Sequence, residues 1–301
     1  MTQSIVYVLG HGRSGSTVLD MTLAERLNGI SLGQFVGLAQ MVSRSDHDRC
    51  SCGESLSNCP RWAPVVSSER NNLSSYIGNP FFLRGDRFKQ AVRVIARCAG
   101  RFAPPDEVAC DHQRQLLAGI PTLGSNRIFV DSSKNINRFI ALQSLPQTRV
   151  HTVFLMRDLA GVIASKRKVK SARRAGTVMA AASWAYQNLL CAILFRTTDG
   201  PKVFVRFEEL IIDPERTLAC IVKSAQIPTE SQGIAAPSGS NSGALHMASG
   251  NSIRLDAKNT IDRSRTTAQD ASRSSAMSAL EHTLGRLVER CVLRIVRGKS
   301  R

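Results

Sequence analysis

Short apolar runs recur along the chain, and each is closed by glycine or by a charged residue. Ser4 to Leu9 is apolar, rich in β-branched residues and stopped by Gly10, the pattern of a strand buried on both faces. Ile30-Ser31-Leu32 ahead of Gly33, Arg127 to Asp131, Val150 to Met156 ahead of Arg157, and Val203 to Phe207 repeat it. Between them the apolar spacing is helical. Ser16 to Leu27 carries Val18, Leu19, Leu23 and Leu27 near one face, and Arg84 to Phe102 sets Phe88, Val92, Ile95 and Ala96 opposite a basic face. Further helices are predicted from Asn137 to Leu145, from Asp158 to about Lys170, from Thr177 to Phe195, from Pro214 to Ala225 behind an Asp213-Pro214 start signal, and from Met277 to Val296.

Strands alternating with helices predict an α/β fold: a P-loop-like, mostly parallel central sheet with helices on both faces. Residues 43–80 break the alternation, being polar, cysteine-bearing and rich in Ser, Asn and Pro. They begin a cap insertion expected over about 43–125. Residues 229–245 are rich in Gly, Ser, Ala and Pro and start a loop, expected to be mobile, over about 229–260. No internal repeat is visible, and the 301 residues are read as a single domain.

The charge changes the picture more than the composition does. Forty Lys and Arg against 23 Asp and Glu leave a formal +17, which attracts polyanions. Aromatic residues make up only 5%, too few for a base-stacking platform, and no nucleic-acid motif is present, so no nucleic acid is expected. No signal-peptide core and no stretch of bilayer length are read, which predicts a cytoplasmic protein without a transmembrane segment. A basic nucleic-acid or membrane-surface binding protein is the non-enzymatic alternative.

Gly10-His11-Gly12-Arg13-Ser14-Gly15-Ser16-Thr17 lies between the first strand and the first helix. A glycine-rich turn there presents backbone N–H groups at the positive end of a helix dipole and cradles phosphate. Ser16 and Thr17 add hydroxyl donors, and Arg13 adds a guanidinium able to fork onto phosphate or sulfate. The spacing is half of a Walker A motif, but Ser16 stands where its lysine belongs. That lysine reaches the β/γ-phosphates of ATP, so its loss weighs against a P-loop kinase acting on a small molecule, the rival enzyme, in which Asp131 would be a magnesium ligand. A second cation, Arg157, closes the Val153–Met156 run at the strand end where ligands of open sheets bind, and Ser165 follows two helical turns on.

These residues resemble the PAPS-dependent sulfotransferases, in their bacterial-type branch. Arg13-Ser14-Gly15-Ser16-Thr17 is similar to that family's 5′-phosphosulfate loop. Phe154 to Ser165 is similar to its 3′-phosphate motif, in which an arginine and a serine, here Arg157 and Ser165, hold that group. Val205 to Leu210 with Asp213-Pro214-Glu215, Val130 to Lys134, and Cys50-Ser51-Cys52-Gly53 with Cys59-Pro60-Arg61-Trp62 look like further features. His246, Gly250-Asn251 and Arg254 resemble a C-terminal loop that closes over the nucleotide. The likeness covers most of residues 4–255. It implies PAPS (3′-phosphoadenosine 5′-phosphosulfate) as donor, a hydroxyl or nitrogen of a small molecule or saccharide as acceptor, and no catalytic metal. With no γ-phosphate to hold, the missing lysine is explained.

Cofactor binding is therefore expected from Gly12, Arg13, Ser14, Gly15, Ser16, Thr17, Arg157, Ser165, Gly250, Asn251 and Arg254. Lys134 is a candidate for stabilising the leaving phosphate. The base is open: relatives often carry Gly-Glu after the second strand, where this chain has Gly33-Gln34, and an amide does not take a proton near neutral pH. Gln34 is read as substrate-binding, and His11 and Asp131 are the candidate bases. Cys50, Cys52 and Cys59 with His47 have the residue types of a Cys₃His zinc site, with a disulfide or free thiols as alternatives. Lys166, Arg167, Lys168, Lys170, Arg173 and Arg174 form a dense basic run, either a solvated helix face or a funnel for anionic donor.

Overall fold

Alternate residues of the first strand feed two separate cores. Ile5, Tyr7 and Leu9 point to one face of the sheet and Val6 and Val8 to the other, and all five are fully buried. That two-sided burial is why the strand reads as a continuous apolar run. The computed structural model describes residues 3–37, 49–67, 87–100, 110, 114, 117–118, 120, 128–167, 174–229, 246–255 and 279–298.

The central sheet contains β1 (Gln3–Gly10), β2 (Ile30–Gly33), β3 (Ile128–Asp131), β4 (Thr148–Met156) and β5 (Lys202–Arg206), all parallel, in the order β2-β3-β1-β4-β5. The helices are α1 (Ser16–Arg26), α2 (Arg87–Cys98), α3 (Ile136–Gln143), α4 (Leu159–Arg167), α5 (Arg174–Thr197), α6 (Phe207–Ile212), α7 (Pro214–Ser224) and α8 (Ala279–Arg297). One face of the sheet packs on α1, α6 and α7 through Leu19, Leu23, Leu210, Leu218 and Ile221. The other packs on α3, α4, α5 and α8 and on residues 50–66.

Four expectations need correction. The chain leaves the last strand at Arg206, and Phe207 opens α6, an extra helix before the Asp213 cap. At its start Arg206 N donates to Glu209 Oε2 at 3.5 Å, and the apolar run before it hides this helix start in the sequence. In α2 the predicted stripe faces outward: Val92 and Ile95 are 47% and 62% exposed, while Val94 is buried. Finally, one helical stretch, Thr177–Thr197, is long and apolar enough by length and composition to cross a bilayer. Half of its window is buried inside the fold, where Trp184, Asn188 and Cys191 pack against the core. The predicted stripe of α8 splits as well, with Val288 inward and Leu287 outward.

Candidate functional site

The connection leaving β1 crosses toward β2, whereas the one leaving β4 leads outward to β5. The sheet order therefore reverses between two neighbouring strands, and a crevice opens at their carboxyl ends. The segments after those two strands carry the two anion motifs.

Gly15 caps α1 in the left-handed region at φ +85°, and a Cβ there would lie 2.1 Å from the Phe207 ring. No other residue type fits. Arg13 also holds a positive φ of 72°, an unfavourable conformation for a long side chain. The α1 start has no side-chain cap among the described residues. Ser14, Ser16 and Thr17 are buried around it.

The two motifs meet. Arg13 Nε donates to Ser165 Oγ at 3.1 Å and Arg13 Nη2 to the Ser165 carbonyl at 3.1 Å, across 152 residues of sequence. Arg157 Nη1 donates to the Arg13 carbonyl at 3.4 Å, and its guanidinium lies 4.6 Å from the Phe207 ring centroid. Arg157 is 5% exposed, and its Nη2 has no hydrogen-bond partner among the described residues. Burial lowers the proton affinity of both arginines, so an anion between them would relieve an unfavourable desolvation.

A third cation arrives from β3. Tyr7 Oη donates to the Asn135 carbonyl at 2.7 Å and accepts from Asn135 N at 3.0 Å, which fixes the turn after β3. Lys134 sits in that turn at φ 57°, and its Nζ donates to Ser16 Oγ at 2.6 Å and to the Ser132 carbonyl at 2.8 Å. The ammonium absent from position 16 thus reaches the loop from another strand.

Asp131 is fully buried and both oxygens are engaged. Oδ2 accepts from Arg138 Nε at 2.7 Å and Oδ1 from Ser133 N at 2.9 Å. The guanidinium of Arg138, also fully buried, lies 4.6 Å from the Phe35 ring centroid. Sequence reasoning missed Arg138, because nothing in its helical pattern marks an arginine as interior. His11 is buried beside the loop, with Nε2 3.4 Å from Ser183 Oγ of α5. Asp20 was also missed, although an acid on the apolar side of α1 was a visible signal. It is fully buried, accepts from Ser31 Oγ at 2.6 Å, and burial pushes its carboxyl up to about 7.

Residues 246–255, part of the loop expected to be mobile, are hydrogen-bonded over the α1 start. Gln34 N donates to the Ser249 carbonyl, Ser249 Oγ to the Gln34 carbonyl, and Asn251 N to Thr17 Oγ1. The approach is so close at Gly33, φ +62°, that a Cβ would sit 2.0 Å from the Ser249 carbonyl oxygen. Arg254 Nη1 and Nη2 donate to the Gly250 and Arg49 carbonyls at 3.3 and 3.0 Å.

The cysteine cluster gains a different fourth member. His47 lies outside the described residues, as do Lys168, Lys170 and Arg173 of the basic run. His246 instead joins Cys50, Cys52 and Cys59, all four ligand atoms lying within 4.8 Å of one another. Burial raises the Cys50 and Cys59 thiols and lowers the His246 imidazole.

No protein-family model matches the chain, and no curated protein matches its sequence. Solved structures do match. The sulfotransferase domain of the Synechococcus PCC 7002 olefin synthase is 18% identical, with 96% of this chain and 94% of that one covered and a TM-score of 0.61. The sulfotransferase domain from the curacin biosynthetic pathway is 16% identical, with 95% and 98% covered and a TM-score of 0.53. The chain has the fold of these sulfotransferase domains.

Proposed function

We propose that the chain moves a sulfuryl group from PAPS to a hydroxyl or nitrogen of a small molecule or saccharide. The observation that carries this reading is the junction of the two anion motifs, Arg13 against Ser165 with Arg157 buried behind them. A buried guanidinium nitrogen with no hydrogen-bond partner among the described residues fits a dianionic group, and a strained glycine-rich turn fits a second one.

In this reading Arg157, Arg13 and Ser165 hold the 3′-phosphate. The 12–17 backbone, Ser16 and Thr17 hold the 5′-phosphosulfate, and Gly250, Asn251 and Arg254 cover the donor. The acceptor oxygen or nitrogen attacks sulfur in line, and the bond from sulfur to the 5′-phosphate oxygen breaks. The products are a sulfated acceptor and 3′,5′-ADP. Negative charge grows on the leaving phosphate oxygen, and Lys134 stabilises it, a reading supported by its bond to Ser16 of the loop. The acceptor proton goes to His11, since both Asp131 oxygens are engaged by Arg138 and Ser133. Gln34 contacts acceptor.

The test is transfer of ³⁵S from labelled PAPS to a panel of hydroxyl and amine acceptors, alongside thermal shift with 3′,5′-ADP and with ATP plus magnesium. Stabilisation by 3′,5′-ADP with label transfer is expected. Preferential stabilisation by ATP–magnesium would replace this reading with the kinase one.

A further inference from the structure

The Cys50, Cys52, Cys59 and His246 cluster lies outside the donor chemistry, yet its geometry is specific. Cys52 and Cys59 sulfurs are 3.8 Å apart, His246 Nδ1 is 3.2 Å from Cys59 Sγ, and it is 3.8 Å from Cys50 Sγ. A tetrahedral zinc with ordinary ligand bonds sets sulfurs about 3.8 Å apart and sulfur to nitrogen about 3.6 Å apart. A disulfide needs about 2.05 Å, and all three cysteines are free.

The surrounding backbone holds the ligands in place independently. Gly53 N donates to the Cys50 carbonyl at 2.9 Å, and Cys50 N donates to the Glu54 carbonyl at 2.8 Å, closing a tight turn about the C-x-C pair. Trp62 Nε1 donates to the His246 carbonyl at 2.6 Å, and Met247 N to Ser51 Oγ at 2.9 Å. Arg61 is within electrostatic reach of Cys59 and Cys50, and it offsets the net negative charge of a three-thiolate site.

We propose that Cys50, Cys52, Cys59 and His246 bind a structural zinc ion that clips the 246–255 segment over the α1 start. His246 and Asn251 are separated by a few residues of one continuous segment, the first tied to the cap thiols and the second to Thr17. Loss of the ion frees the segment at one end, and donor affinity falls with it. This coupling rests on the donor reading above; the metal site itself does not.

The experiment has two arms on the 301-residue chain. In the first, metal content is measured by plasma mass spectrometry, and cobalt replaces zinc for visible spectroscopy. About one zinc per chain and intense tetrahedral cobalt–thiolate bands are expected. Cys59→Ser should abolish both and His246→Ala should weaken binding and shift the bands, while Cys220→Ser, at an exposed thiol, should change neither. Substoichiometric metal, or a Cys52–Cys59 disulfide in peptide mapping of the freshly purified chain, overturns the site.

In the second arm, 3′,5′-ADP binding is titrated with and without the ion. A loss of about tenfold or more on chelation, restored by added zinc, is expected. Unchanged affinity overturns the clip while leaving the metal site standing. Absence of 3′,5′-ADP binding in the zinc-loaded chain overturns the donor reading and the coupling together, with the metal content read separately.

Discussion

Lys134 Nζ lies 2.6 Å from Ser16 Oγ, so a cation 118 residues downstream of the glycine-rich loop stands at the first residue of its helix. The loop lacks the Walker lysine in sequence and has an ammonium beside it in space. That ammonium comes from the turn after β3, and in the proposed reaction it serves the loop that holds the 5′-phosphosulfate.

Lys134→Ala is therefore expected to lower the single-turnover transfer rate by about 10²–10³-fold, the usual loss when one electrostatic stabiliser is removed. Its effect on 3′,5′-ADP affinity should stay below about tenfold. Equal losses in rate and affinity would mean that Lys134 binds the ground state just as strongly.

Arg157→Ala should weaken 3′,5′-ADP binding by about 10–100-fold, corresponding to roughly 1.5–3 kcal/mol for a charge-assisted contact. Binding of 5′-AMP, which has no 3′-phosphate, should change by less than about threefold. Isothermal titration of both nucleotides separates a 3′-phosphate site from general loosening of the crevice.

His11→Gln should lower the turnover rate by about 10²–10⁴-fold with 3′,5′-ADP affinity retained, as expected for loss of a proton acceptor. A variant that keeps the rate would remove His11 from the reaction.

Asp131→Asn tests structure against chemistry. The change leaves the fully buried Arg138 guanidinium without its charge partner, which typically costs about 3–5 kcal/mol. A midpoint several degrees lower in thermal denaturation is expected. A variant of native stability that had lost only turnover would return Asp131 to the list of bases.

Asp20 sets a pH dependence of the fold. Burial raises its carboxyl from 3.8 to about 7, so the native state holds a proton that the unfolded chain releases. Stability should fall as pH rises from about 4 to about 7, by at most about 1.4 kcal/mol per pH unit from this group, and then level off. Asp20→Asn keeps an acceptor for Ser31 and should flatten that slope. Urea unfolding at pH 5 and pH 8 reads the difference.

Much of this architecture was legible because the sheet is buried on both faces. Every strand was then a short apolar run, and each run ended where the chain turned to the crevice. Arg13, Ser165 and Arg157 were marked by position relative to those ends. The faces of α2 were not legible. That helix carries apolar residues on two adjacent sides, Ala91 with Val94 and Val92 with Ile95, and only contact with α5 chose the first pair. The end of β5 was equally obscured, because Phe207 continues the apolar run while its backbone has already entered a helix.

The sequence by itself determined the alternation of strands and helices, the glycine-rich turn and the cationic strand end, since each depends on neighbours a few residues apart. Tertiary structure alone decided which distant groups share a site. It seated Lys134 on Ser16, withdrew Asp131 into an ion pair with Arg138, and put His246 among thiols nearly 200 residues earlier in the chain, as the 196-residue separation from Cys50 shows. Those pairings arise from strand order and loop closure, and no local spacing encodes either.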